Sequence, residues 1–111
     1  MGTRAKIEMV NNQKKVLCLY LNMDGHIENW SAELTNILEK YSKEDIITLR
    51  KFDDLLEFFT MYNPDNMIEA KYLDYYCKID ISNDEFNIEM TEYNKITYNG
   101  DLAGFKNKFV S

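Results

Sequence analysis

Proline is nearly absent from this chain and glycine is scarce: one Pro, four Gly and two Cys stand among 111 residues. So few breakers leave no linker, repeat or low-complexity tract, which excludes collagen-like and Pro-rich disordered classes. Cys18 and Cys77 are too few for a secreted disulfide framework and lack metal-ligand spacing. Both lie in strand-like apolar runs and are expected to be buried reduced thiols, able to cross-link as an artefact if they face each other on adjacent strands. No apolar run approaches the roughly 18 residues needed to span a bilayer. The start, Met1 to Lys6, has no charged-then-apolar leader, and Lys6 stands where a myristoylation signal requires Ser or Thr. A cytoplasmic location without membrane contact is expected. The four glycines are isolated, so there is no phosphate loop, and no cofactor or metal is expected.

What is present is apolar and aromatic. Hydrophobic residues make up 45%, with six Phe and eight Tyr, enough for one domain over 1–111 with a single core. The formal charge of −6 is localised: Asp65, Glu69, Asp74, Asp80, Asp84, Glu85, Glu89 and Glu92 face only Lys71 and Lys78, and the rest balances. An acidic face repels phosphate backbones, so direct nucleic-acid binding is not expected. A charged outer sheet face also keeps a protein soluble and blunts strand edges.

The stretch from Lys71 to Tyr93 reads as a two-stranded hairpin. Leu73, Tyr75, Cys77, Ile79 and Ile81 share one parity, and Phe86, Ile88 and Met90 repeat it after a Ser82-Asn83-Asp84 turn. Upstream, residues 3–10 alternate as a half-buried strand with Lys6 and Glu8 facing out. Asn11 to Lys14 form a turn, and Lys15 to Leu21, apolar on both parities, form a central strand. Asp24-Gly25 predicts a bend with Gly25 at positive φ. A helix capped by Asn29 or Ser31 then presents Trp30, Leu34, Ile37, Leu38 and Tyr41 on one face. Ser42 to Asp45 resembles a capping box, a break is expected at Arg50-Lys51, Asp53 caps a further helix through Leu55, Leu56 and Phe59, and Pro64 closes the region. Ile96 to Tyr98 add a short strand, and Asp101 caps a closing helix with Leu102, Phe105 and Phe109. The expected fold class is α+β: an antiparallel sheet of four to five strands with helices mainly on one face, in the order β-β-α-α-β-β-β-α.

The opening Met1-Gly2-Thr3-Arg4, with Leu19-Tyr20, Asp24-Gly25 and Ala32-Glu33-Leu34, resembles short phage, prophage and bacterial proteins that begin Met-Gly-Thr-Arg. Those proteins carry a Tyr-Arg-Gln-x-Asp-Gly-Tyr-Pro stretch and a Gly-His-Gly segment opening the first helix. Weaker likeness continues through Asp54-Leu55-Leu56, Tyr72 to Asp80 and Leu102 to Phe109. This sequence departs at Leu21, where the family shows arginine, at His26-Ile27 for Tyr-Pro, and at Asn29-Trp30-Ser31 for Gly-His-Gly. The resemblance implies a phage-type setting, in the host-cell cytoplasm if phage-encoded, and implies no enzymatic activity.

Among chemistry-bearing residues, His26 is the only histidine and has no nucleophile paired with it in sequence; a hydrolase built on it is the weakest reading. Arg4 is expected to pair with Asp24 across the sheet end. The outward set Tyr72, Asp74, Tyr76, Asp80, Glu89 and Thr91 mixes contact-forming tyrosines with steering acids, and is either an ordinary sheet face or a protein-binding face. The leading expectation is a non-enzymatic accessory protein that binds a basic host protein stoichiometrically through that face, inhibiting antiviral defence in the manner of anti-CRISPR proteins. The alternative is a small-ligand sponge holding a nucleotide signal with Arg4, Tyr20, Asp24 and Trp30 around the bend. The sequence leaves the oligomeric state open.

Overall fold

Two hairpins with the same turn geometry frame the sheet. Strand β1 (Ala5–Asn11) turns into β2 (Lys14–Leu21) through Asn12 and Gln13 at φ 51 and 68, and β5 (Asn87–Glu92) turns into β6 (Lys95–Gly100) through Tyr93 and Asn94 at the same two values. Positive φ at both central residues of a two-residue loop gives the twist that matches paired strands. The computed structural model describes residues 3–49, 55, 59–62, 73–83 and 85–110. With β3 (Thr60–Tyr62) and β4 (Tyr75–Asp80), the strands form one sheet in the order β3-β2-β1-β4-β5-β6.

The expected antiparallel sheet of four to five strands is corrected on two points. The sheet has six strands, because Thr60 to Tyr62 pair with Tyr20 to Cys18 along the open side of β2. It is mixed, because β4 runs parallel to β1, from Ala5 opposite Tyr75 to Val10 opposite Asp80. β2 already occupies one side of β1, so β4 takes the other side, and the C-terminal strands are added outward from there. The α+β class stands.

Helices α1 (Ser31–Lys40), α2 (Lys43–Leu49) and α3 (Leu102–Phe109) lie over one sheet face. Trp30, Leu34, Ile37, Leu38, Ile46 and Phe105 join Ile7, Met9, Leu19, Cys77, Ile79, Ile88 and Met90 in one buried cluster. Removing such side chains from water is the main stabilising term. The hairpin alternation predicted from sequence holds: Leu73, Tyr75, Cys77, Ile79, Ile81, Ile88 and Met90 are all buried, and Phe86 is partly buried against them. The Ser42 hydroxyl accepts the Asp45 N–H at 3.1 Å, and Asp101 accepts the Gly104 N–H at 2.8 Å, as the two capping motifs predict.

Two local expectations are corrected, and the condition for a Cys18–Cys77 cross-link is not met. Neither Asn29 nor Ser31 caps α1: Trp30 occupies the cap position without a side-chain bond, Asn29 Nδ2 donates to the Asp24 carbonyl, and Ser31 Oγ donates to the Phe109 carbonyl. At the bend the positive φ falls on Asp24, at 59, and not on Gly25. Gly25 is required for a different reason: a Cβ there would sit 2.8 Å from the Thr3 carbonyl oxygen and 2.9 Å from Ala5 Cβ. Cys18 and Cys77 do not face each other, since β1 lies between their strands and they point to opposite faces. The expected break at Arg50-Lys51, the Asp53 cap and Pro64 lie outside the described residues, although Phe59 N–H donates to the Leu55 carbonyl at 2.7 Å.

Candidate functional site

The sheet face opposite the helices carries a row of charged side chains. Register alone places Cys18, Glu8, Lys78, Glu89 and Asn99 side by side across β2, β1, β4, β5 and β6, so Lys78 is flanked by a carboxylate on each side. The neighbouring row runs Tyr20, Lys6, Tyr76 and Thr91. The face therefore alternates in sign along its central row.

Its centre is closed to water. Lys6 and Glu8, read from sequence as outward-facing, are each 1% exposed. This corrects the half-buried reading of β1, and the reason is its position: a strand between two neighbours has its polar parity crowded from both sides. Lys6 Nζ stands 3.1 Å and Lys15 Nζ 3.6 Å from Glu8 Oε2, while the Tyr76 hydroxyl donates to Oε1 at 2.7 Å. Oε2 is close to charge but receives no directed hydrogen bond, because the Lys6 approach at 3.1 Å misses hydrogen-bond geometry. Lys6 also lies 5.7 Å from the centre of the Tyr76 ring. Burial, and then the bond to Glu8, push the Tyr76 phenol well above its ordinary range, so it acts as a neutral donor. The Cys18 thiol on this face is likewise raised by burial. A shallow cavity of about 260 Å³ opens beside the cluster, lined by Glu8, Val10, Gln13, Lys15, Tyr76, Lys78 and Asp80.

Around that centre, Asp74, Tyr76, Asp80, Glu89 and Thr91 are half-buried and share the outward side; Tyr72 lies outside the described residues. Two of the acids have structural work. Asp74 Oδ2 accepts the Arg4 N–H at 2.9 Å, and Asp80 Oδ1 accepts the Ser82 hydroxyl at 2.6 Å and its N–H at 2.9 Å. The Ser82 hydroxyl bond chiefly holds the Asp80 carboxyl below the usual range. Glu89 and Thr91 carry no comparable tie to a turn.

The second group, around the bend, is not assembled into one pocket. A hollow of about 620 Å³ is lined by Leu21, Met23, Asp24, Asn29 and Trp30. Arg4 and Tyr20 are not among these lining residues; Tyr20 stands on the outward face, and its hydroxyl donates to Asn22 Oδ1 at 3.4 Å. Trp30 is 0% exposed, its indole N–H donates to the Gly25 carbonyl at 2.9 Å, and it meets Phe59 edge-on at 6.0 Å. Its ring faces are therefore closed to a stacking base. The expected Arg4–Asp24 ion pair does not form; the first strand is held to the bend by the Gly25 N–H bond to the Thr3 carbonyl at 2.9 Å. His26 lies between the Thr3 hydroxyl at 3.1 Å and the Tyr75 hydroxyl at 3.3 Å, on the side of the sheet away from Cys18.

Sequence reasoning missed the Lys6–Glu8–Tyr76 cluster. The signal available was Cys18, an apolar residue on the outward parity of β2, which requires a closed outer face around whatever strand lies beside it.

Fold and surfaces together define a small α+β protein with helices roofing one side of a mixed sheet and charge arrayed on the other. No family model, no curated protein and no solved structure matches the chain. Among the described residues, no helix is long and apolar enough to cross a membrane.

Proposed function

We propose that the protein is a non-enzymatic binding protein whose outward β4–β5 face engages a basic host protein stoichiometrically. The single observation behind this reading is the partition of β4 and β5. Their apolar parity is sealed under helices, while Asp74, Tyr76, Asp80, Glu89 and Thr91 stand partly open on the other side. Tyr76 is fixed by its bond to Glu8, so this contact surface loses little rotamer freedom on binding. The likeness of the opening tetrapeptide and the Asp24-Gly25 bend to phage and prophage proteins supplies the setting, a phage-type accessory protein that inhibits an antiviral defence system as anti-CRISPR proteins do. The nucleotide-sponge alternative keeps the hollow at the bend but has Asp24 there without Arg4, which sets a carboxylate against the phosphates.

Glu89 and Thr91 are the clean probes, because changing Asp74 or Asp80 also removes a backbone tie. A Glu89→Lys, Thr91→Arg double variant should melt like the parent yet lose at least tenfold in capture of its partner from host lysate. Equal capture by the folded variant rejects this face as the contact.

A further inference from the structure

Three large apolar side chains are strongly exposed among the described residues: Met23 at 61%, Tyr93 at 58% and Ile96 at 63%. All three belong to the end of the sheet where β1 begins. The contacts that tie this end together run from the bend to the last turn. Gly25 N–H donates to the Thr3 carbonyl, Asp74 N–H to the Arg4 carbonyl at 3.1 Å, and Tyr93 N–H to the Asp74 carbonyl at 2.8 Å. The Tyr75 ring bridges them, 5.8 Å from His26 and 5.5 Å from Tyr93. Met23 follows β2 and borders the hollow at the bend, while Tyr93 and Ile96 lie beyond β1 and β4 at the β5–β6 turn.

The charge around them is mainly negative. Asp24, Glu28, Asp74 and Glu92 stand at this end against Arg4 and Lys95, and Glu28 and Glu92 both act on the Tyr75 hydroxyl. The hollow at the bend has the matching character, with Leu21 and Met23 as its accessible apolar lining over the sealed Trp30, and exposed Asp24 beside them. Asn29 spends its Nδ2 on the Asp24 carbonyl, which leaves Oδ1 as a further acceptor. A long aliphatic stem ending in a positive charge satisfies both parts of such a hollow, whereas an anion would meet Asp24.

We infer that this end of the sheet binds a basic segment of another protein, one arginine or lysine side chain entering the hollow against Asp24 with its aliphatic stem along Met23. The hollow is lined by none of the outward β4–β5 residues, so either reading can fail without the other. The test is a titration of the isotope-labelled protein with N-acetyl-argininamide, and of the unlabelled protein with a fluorescent arginine–leucine peptide and its glutamate–leucine counterpart. The expected result is movement of the Trp30 indole N–H and the Met23, Asp24 and Asn29 amides with the arginine derivative. The arginine peptide should bind and the glutamate peptide should not. Asp24→Asn, which suits the positive φ, should weaken the arginine peptide about tenfold, as loss of a charge-assisted bond does, and Met23→Lys, at an exposed position, should do the same. Equal binding of the glutamate peptide, indifference to both variants, or movement centred on Glu89 and Thr91 would overturn the inference.

Discussion

Lys6 and Glu8 are two residues apart on one strand, so the pleat itself brings their side chains to the same side, and their mutual charge is what allows both to be buried. Such a pair is not a strong source of stability, because desolvation offsets most of the attraction, but breaking it is costly. Lys6→Met should therefore destabilise the protein by about 3 kcal/mol, since Glu8 stays buried with its nearest cation gone. The triple change Lys6→Met, Glu8→Leu, Tyr76→Phe removes the buried pair and the Tyr76 hydroxyl together, leaves the partly exposed Lys15 to water, and should recover most of that loss. Urea denaturation of the two variants beside the parent checks both outcomes; equal loss in both would show that packing, not charge, governs the cluster. Composition rules assign Lys and Glu to the surface, and nothing in their own strand says otherwise. Only the neighbour across the register, Cys18, carries the contrary information.

At the level of elements, local chemistry was well written into the chain wherever one segment decides its own form. The Ser42 and Asp101 caps, the α1 stripe and the alternation from Leu73 to Met90 are all periodicity or capping signals that need no partner. What was not legible depended on assembly. Three-residue β3 is a strand only because β2 offers an open side, and β4 finds its place only because one side of β1 is vacant. The Tyr93-Asn94 turn escaped reading for a local reason, since Tyr is a poor residue for the left-handed region it occupies at φ 51. Gln13, at φ 68, bears the same cost in the first hairpin. Gln13→Gly should stabilise the fold by up to about 1 kcal/mol, by giving the turn the Asn-Gly pair that this geometry favours. A higher thermal midpoint is the readout, and a lower one would mean that the Gln13 side chain makes a contact worth more than the strain. The outer edge shows a different device. A register irregularity sets Thr97 out of the ladder on β6, and the Lys108 ammonium from α3 donates to its carbonyl, which blunts the exposed edge against pairing with other chains.

For the whole molecule, the bound protons matter as much as the contacts. Cys77 and Tyr76 ordinarily lose their protons near 9.0 and 10.0, and burial is the leading cause holding both above those values in the folded state. Above pH 9 the unfolded chain releases these protons while the folded chain keeps them. A raised folded pKa contributes stability that is present at neutral pH and is lost as pH rises past the unfolded value. The unfolding free energy should thus fall steadily from about pH 9 to 11. Tyr76→Phe should flatten the upper part of that fall, even though its neutral-pH stability is lower for want of the bond to Glu8. Melting curves across this range test the point, and an unchanged slope in the variant would assign the alkaline loss elsewhere.

Trp30 is the sole tryptophan, sealed against Phe59, with its indole nitrogen committed to the Gly25 carbonyl beside the hollow at the bend. Its emission is consequently an intrinsic optical gauge: blue-shifted while the roof is closed over the sheet, and sensitive to whatever enters next to Asp24. Unfolding and occupancy of the bend can be followed in the same cuvette without adding a dye.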